Sequence, residues 1–134
     1  MTTHGEYRYP TVNDVLIAYG AIFDCTVQQA ADQLRSPDAL EGALARPQWY
    51  AHYEGADLPH QAAVLAHGIA ETQPFVEGNK RTALAVLLGF LDGNRYGVIA
   101  SQNERMQWII RLSEGGSIEE LAGRIRPSLV PIKK

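Results

Sequence analysis

Residues 73–82 have the sequence Gln-Pro-Phe-Val-Glu-Gly-Asn-Lys-Arg-Thr, and an apolar run follows them directly. The helix predicted from this run, roughly Lys80–Asp92, is apolar on nearly all sides from Ala83 onward, so we expect it to be central and buried. The preceding residues, Glu71–Asn79, are mostly polar and contain a proline and a glycine, which predicts a loop. The chain therefore contains a loop that leads into the first turn of a buried helix.

This junction has the properties of an anion site. Gly78 allows the backbone to approach a ligand closely, and the first N–H groups of a helix carry the positive end of its dipole. Lys80 and Arg81 add full charges there, although cations at this end destabilise the helix itself. A carboxylate at Glu77 suits magnesium that also contacts phosphate, and Asn79 either orients the backbone or donates to an oxygen. On spacing alone, a plain turn in which Glu77 neutralises the cations is equally compatible, and the spacing is not that of a Walker loop.

The rest of the chain predicts an all-α fold of six or seven helices, in one domain over residues 1–134. A short helix is expected near Val27–Gln33, a further helix from Pro59 to about Glu71, and a short extended stretch at Tyr96–Ala100. Helix starts are marked by capping residues, which are Thr11 with Asp14, Ser36 with Pro37, Ser101 with Glu104, and Ser117 with Glu120.

A break in the helical pattern is expected in the first half of the chain. Pro47 should end the helix that Ser36 begins. The aromatic and glycine-containing segment Gln48–Pro59 then predicts an exposed loop or small hairpin. Two interpretations stay open for this segment, a flexible flap over a site and an aromatic loop packed on the core.

Composition narrows the classes of function. The net charge of -3 disfavours a general nucleic-acid binder. The sequence has no apolar run of about 18 residues and no secretory signal, so neither a membrane span nor secretion is expected. A single cysteine, Cys25, fits a cytosolic setting and a small buried side chain. Trp49 and Trp108 are expected to be packing residues.

The histidines offer weaker candidates. His67 lies six residues before Gln73 on a predicted helix, and it could act as a distant base. It is also spaced i, i+4 from Glu71, a pair that could ligate a metal but more commonly forms a surface contact; no third ligand is apparent. His52 and His60 flank the predicted flap, where they would either approach a substrate or be solvated.

The segment Gln73–Arg81 resembles the signature of the Fic/Doc family. That signature has a histidine, then Pro-Phe or a similar pair, an acidic residue, Gly or Ala, Asn, and finally Lys-Arg or Gly-Arg. The Lys-Arg ending is similar to the Doc branch, the death-on-curing toxins. Leu40–Pro47, an aromatic flap, the helix before the motif and Thr82–Leu84 also follow the family's order. The resemblance covers most of the chain and implies a compact Fic/Doc-type helical bundle, with Phe75 pointing into the core and fixing the nucleotide loop.

The resemblance also implies an activity. Doc-like proteins transfer a phosphoryl group from ATP to a protein hydroxyl, elongation factor Tu being the known type of target, whereas Fic enzymes transfer AMP. By this likeness Glu77 would hold Mg²⁺ on the nucleotide, Gly78 and Asn79 would form the anion hole, and Lys80 and Arg81 would bind phosphates. A separate antitoxin protein would lay a helix into a groove of the toxin.

One position departs from the signature. Where the family has the histidine that takes the proton of the attacking hydroxyl, this chain has Gln73, and a glutamine amide cannot act as a general base near neutral pH. The chain is therefore either a slow transferase, because phosphoryl transfer depends mostly on positioning and charge, or a catalytically silent module that binds partners. A metal-dependent hydrolase built on His67 and Glu71 is the third hypothesis.

Overall fold

The computed structural model describes residues 1–133, apart from the side chain of His4. Within that part, seven α-helices and two short strand pairs confirm the predicted all-α bundle. In chain order the elements are β1 (Thr2–His4), β2 (Tyr7–Tyr9), α1 (Val12–Phe23), α2 (Val27–Asp32), α3 (Pro37–Glu54), α4 (Leu58–Thr72), α5 (Asn79–Gly93), β3 (Tyr96–Val98), α6 (Gln102–Ser113), α7 (Ile118–Ile125), a 3₁₀ turn (Arg126–Ser128) and β4 (Leu129–Pro131).

Side-chain caps begin the helices where the sequence predicts them. Thr11 accepts a hydrogen bond from the Asp14 N–H, and the Asp14 carboxylate accepts one from the Thr11 N–H at 2.8 Å. Ser101 and Glu104 form the same reciprocal box. The Ser117 hydroxyl also caps its helix, whereas the glutamate three residues further on pairs with two arginines. These starts are therefore determined by local sequence.

The predicted end of α3 at Pro47 is wrong, because the helix continues to Glu54. A proline inside a helix removes one hydrogen bond and costs about 3 kcal/mol. The ring of Pro47 is itself buried and extends the apolar stripe of the helix by one turn. Burial of this stripe against α4 offsets the cost of the proline. The buried residues of α3, spaced i, i+3, i+4 and i+7, are Leu40, Ala43, Leu44 and Pro47.

The predicted loop or hairpin over Gln48–Pro59, and with it the flap, is wrong for the same reason. Helix α3 ends at Gly55, which has a φ of 63°, and Asp57 already caps α4. The aromatic side chains of this segment lie on the last turns of α3. Trp49 is 51% exposed and Tyr53 68%, and Trp49 packs at the surface with its ring 5.2 Å from that of Tyr53. Trp108 packs in the core, where it is buried.

Helix α4 is the centre of the bundle. It packs against α3, α5, α6 and α7, and most of its residues are buried, whereas α5 keeps a partly exposed side. Gly68 permits the closest approach to α3, because a Cβ there would lie 2.9 Å from the Cβ of Ala43. None of the helices within residues 1–133 is long and apolar enough to cross a membrane.

Two antiparallel strand pairs cover the far end of α5. Strand β1 pairs with β2, and β3 pairs with β4 through Tyr96 and Pro131, which confirms the extended stretch predicted at Tyr96–Ala100. Asn94, just after α5, accepts from the N–H of Arg8 and donates to the carbonyls of Arg8 and Phe90. This side chain therefore ties the first strand pair to the helix that carries the candidate site at its other end.

Candidate functional site

The loop between α4 and α5 begins at Gln73. This residue ends α4 with φ 48° and ψ 62°, and its N–H donates to the carbonyl of Ile69 at 3.0 Å. The left-handed conformation costs a non-glycine residue about 1–2 kcal/mol. The guanidinium of Arg35 donates to the Gln73 carbonyl at 2.8 Å. The backbone of Gln73 is thus held by both ends while its exposed side chain lines a cleft.

The following residues are pinned to the segment between α2 and α3. The carbonyl of Pro74 accepts from the N–H groups of Arg35 and Ser36 at 2.8 and 3.0 Å. The N–H of Val76 donates to the carbonyl of Gln33 at 2.9 Å. These backbone hydrogen bonds hold the loop against the segment between α2 and α3, as hydrogen bonds hold an edge strand to its sheet.

Phe75 anchors the loop from below. Its side chain is fully buried and stacks on Tyr19, with centroids 4.3 Å apart. The Asn79 side-chain amide bridges the N–H and carbonyl of Phe75, both at 3.0 Å. Of the roles considered for Asn79, the structure therefore shows the orientation of the backbone. Phe75 supports the loop and does not reach the cleft with its ring.

Two features of the loop, its backbone conformation and its packing, require glycine at position 78. It caps α5 with a φ of 77° and without a side-chain cap, which favours glycine. A Cβ at this position would also overlap the ring of Phe23, at 2.7 Å from Cε2. The Gly78 carbonyl accepts from both the N–H and the hydroxyl of Thr82, at 3.0 and 2.8 Å. As at the start of any α-helix, the first N–H groups of α5 have no intrahelical partners.

Charged side chains surround these N–H groups. Lys80 and Arg81 are exposed, and the Arg81 guanidinium carbon lies 4.8 Å from the centroid of the Phe23 ring. None of the ion pairs within residues 1–133 involves Glu77, Lys80 or Arg81. Mutual neutralisation of these three residues, the alternative open at the sequence level, is therefore not what the described structure contains.

Glu77 lies at the edge of the same turn with an exposed carboxylate. The Tyr19 hydroxyl donates to the Glu77 carbonyl at 3.3 Å. Burial raises the pKa of Tyr19, and the nearby Glu77 carboxylate raises it further, so this phenol stays protonated and acts as a donor. A single exposed carboxylate beside free helix N–H groups fits magnesium, which commonly takes one or two protein carboxylates plus phosphate oxygens and waters.

One cleft of about 710 Å³ brings the predicted residues together. It is lined by all the sequence-predicted site residues except Phe75: Gln73, Glu77, Gly78, Asn79, Lys80 and Arg81. The opposite wall, formed by the end of α6 and the turn after it, was not expected from the sequence. Its residues are Leu112, Ser113, Gly115 and Gly116, and the glycine pair was the only local signal for it.

His67 and Glu71 form the predicted contact, with the His67 Nε2 and the Glu71 Oε2 3.0 Å apart. The sequence did not predict that both residues line the cleft beside Gln73. Residues 1–133 contain no cluster of three or more His, Cys, Asp or Glu side chains that could hold a metal. His52 and His60 lie on α3 and α4 outside the cleft lining, and the His60 ring is 5.8 Å from that of Tyr50.

Comparison with known families gives a match over most of the helical bundle. Residues 9–91 match the Fic/DOC family, and the match runs from the end of β2 to near the end of α5, including the whole loop at Gln73–Gly78. It covers more than half of the 134 residues. No curated protein matches the chain significantly. On the strength of the family match and the loop geometry, the chain belongs to the Fic/DOC family.

Proposed function

We propose that this chain transfers a phosphoryl group from ATP to a hydroxyl of a protein, with a target similar to elongation factor Tu, as the Doc-like toxin of a toxin–antitoxin pair. The observation that carries the proposal is the convergence of Gly78, Lys80 and Arg81 with the free N–H groups of α5 on one cleft. The Lys-Arg ending of the loop favours the Doc-like reaction over AMP transfer by a Fic-type enzyme, which is the alternative.

The start of α5 with Gly78, Lys80 and Arg81, here called the cradle, would act mainly by binding and orienting ATP. Backbone N–H groups at a helix start attract phosphate oxygens through hydrogen bonds and the helix dipole. Lys80 and Arg81 are exposed at the same place and form no ion pair within residues 1–133, so their charges are available to phosphates. When bound at Glu77, magnesium supplies charge that offsets the negative charge on the phosphates. The buried Phe75 and the Asn79 bridge keep these groups in register.

Gln73 limits the rate in this proposal. Its amide can hydrogen-bond an acceptor hydroxyl and orient it, but it cannot take the proton. The absence of a general base at this loop position typically costs about 100- to 10,000-fold in rate when no other group takes the proton. Because phosphoryl transfer depends mainly on positioning and charge stabilisation, a slow transferase is the expected result.

A silent binding module is the second candidate, and Gln73 is the observation that favours it. In this case the fold would serve an antitoxin or another protein partner without transferring a group. The two candidates make different predictions, because a silent module leaves every acceptor unlabelled even at high protein concentration.

A transfer assay with ATP labelled separately in its α- and γ-phosphates tests the proposal. Purified elongation factor Tu and a cell lysate serve as acceptors for the wild-type protein and for Gln73→His. Transfer of γ-label by both, faster with histidine, supports the phosphotransferase; α-label supports AMP transfer. Absence of any label with both proteins overturns the proposal and favours the silent module.

Two substitutions test the cradle itself. Lys80→Ala and Glu77→Ala should each weaken Mg-ATP binding, because they remove a phosphate contact and the magnesium carboxylate. Lys133→Ala, which removes an exposed lysine that is not in the cleft lining, is the matched control. ATP affinity that is unchanged in both cleft variants would refute the loop as the nucleotide site.

The antitoxin is tested separately. Co-expression with the product of an adjacent small gene should give a stable complex that can be isolated by gel filtration. Failure to find such a gene product that binds the chain would count against the toxin–antitoxin part of the proposal while leaving the transfer chemistry open to its own test.

A further inference from the structure

The cleft contains a proton-accepting side chain that lies outside the loop signature at Gln73–Arg81. His67 lies about one and a half turns before the end of α4 at Thr72, about 9 Å along the helix axis from Gln73. It lines the same cleft as Gln73, Lys80 and Arg81. Its side chain is 26% exposed, so the imidazole is partly sheltered and remains accessible from the cleft.

Glu71 holds this imidazole in a defined orientation. The His67 Nε2 lies 3.0 Å from the Glu71 Oε2, so Nε2 carries the hydrogen that is donated to the carboxylate. The other ring nitrogen, Nδ1, then carries a lone pair. The carboxylate also stabilises the imidazolium that forms when Nδ1 accepts a proton, as in other His–carboxylate pairs.

The remaining ionisable groups of the cleft are poor bases for a hydroxyl. Lys80 and Arg81 are cations, and Glu77 is the carboxylate proposed for magnesium. Glu71 is already engaged by His67. The imidazole is therefore the group whose chemistry suits general-base catalysis near neutral pH.

Stability alone does not account for the pair. An i, i+4 pair on a helix surface contributes only about 0.3–0.5 kcal/mol, and Glu71 is 59% exposed. Packing already fixes α4, since Gly68 contacts α3 at Ala43 and the Thr72 hydroxyl donates to the Gly68 carbonyl at 2.7 Å.

We propose that His67, oriented by Glu71, is the general base of this transferase in place of the histidine that Gln73 replaces. The inference rests on the proposed function. In the step, the acceptor oxygen forms a bond to the γ-phosphorus of ATP while the bond from that phosphorus to the bridging oxygen breaks, and the electron pair leaves with ADP. The proton of the hydroxyl moves to Nδ1 of His67, directly or through one water, and is later released to solvent.

The experiment measures kcat and the KM for ATP in the γ-label transfer assay. His67→Gln should lower kcat about 100-fold and leave the KM for ATP within about twofold, because the imidazole does not bind phosphates. Glu71→Gln should lower kcat less, since it removes only the orienting charge. His60→Gln, a histidine on the same helix outside the cleft lining, is the control and should leave kcat unchanged.

Chemical rescue separates a base from a structural role. Free imidazole added to His67→Ala should restore part of kcat, and it should not affect His67→Gln, in which the amide fills the space. The loop variant Gln73→His should make His67 dispensable, so that adding His67→Gln to it costs less than about twofold. Thermal unfolding of each variant serves as the folding control.

The outcomes are distinguishable. If wild type transfers γ-label and His67→Gln has the same kcat, or if imidazole rescues nothing in His67→Ala, the base assignment is overturned and the proposed function survives. If neither wild type nor Gln73→His transfers label, the proposed function is overturned and the base assignment with it.

Discussion

Replacement of Gly78 by alanine tests the geometry of the loop most directly. Alanine at a φ of 77° costs about 1–2 kcal/mol for the left-handed backbone. The new Cβ would also overlap the Phe23 ring, at 2.7 Å from Cε2, and forced repacking of this kind typically costs about 1–3 kcal/mol. We therefore expect a loss of roughly 2–5 kcal/mol in the free energy of unfolding.

Urea unfolding at equilibrium measures this loss, and Gly42→Ala is the matched control. Gly42 lies exposed on α3, and a Cβ there has nothing within 4 Å. The control should therefore gain stability, by up to about 1 kcal/mol, from higher helix propensity.

A double-mutant cycle with Phe23→Ala isolates the overlap from the backbone strain. Without the ring, Gly78→Ala should retain only the backbone cost of about 1–2 kcal/mol. Because Arg81 stacks on the same ring at 4.8 Å, Gly78→Ala should also weaken Mg-ATP binding. Stability of Gly78→Ala within about 0.5 kcal/mol of wild type, or an equal cost with and without the ring, would refute the tight-turn interpretation.

Three further substitutions each test a different set of contacts in the structure. Arg126 lowers the pKa of Asp57 below its usual 3.8, first through their hydrogen bonds. The ionised Asp57 therefore stabilises the folded state above pH 3.8, and this contribution is lost as the pH falls through the lowered pKa. Arg126→Gln should therefore unfold more easily than wild type at pH 6, by at most about 1 kcal/mol for such an exposed pair, and should differ little near pH 2 in acid titrations of urea-induced unfolding. Gly68→Ala should cost about 1–3 kcal/mol by overlap with α3, whereas Gly89→Ala, with nothing within 4 Å of its Cβ, should not destabilise; thermal scans compare the two. Asn94→Ala removes two hydrogen bonds to Arg8 of β2 and one to the Phe90 carbonyl of α5, and amide exchange of β2 should become faster while that of α4 is unchanged.

The helix starts were predictable because their causes are local. A Thr or Ser and an acidic residue three positions later satisfy each other across one turn, as Thr11 and Asp14 do, and no distant contact is needed. The end of α3 had a distant cause. Pro47 carries a local stop signal, but its ring extends an apolar stripe against α4, and only the tertiary structure reveals that burial.

The candidate site likewise has one part that local sequence predicts and another part that depends on the tertiary structure. The residues from Gln73 to Arg81 are contiguous, so a sequence motif could place them in one loop, and the structure brings them to one cleft. The opposite wall comes from the turn at Gly115–Gly116, about 35 residues further along the chain, and depends on how α6 crosses α4 and α5. The position of His67 in the cleft likewise depends on which face of α4 the bundle leaves open. The i, i+4 spacing predicts that His67 and Glu71 contact each other, but it does not predict which part of the molecule they face.

The structure separates the two tasks that the proposed function requires. The groups proposed to bind ATP are held by Phe75, Asn79 and Gly78, whose contacts do not involve the side chain of Gln73. Among residues 1–133, the hydrogen bonds that hold Gln73 are those of its backbone, with Ile69 and Arg35. Because the side chain at this position is exposed in the cleft, Gln73→His should change the turnover rate without changing the fold or the affinity for Mg-ATP. The groups proposed to bind ATP therefore stay in place whichever side chain stands at position 73. A transferase that uses His67 as its base requires this independence.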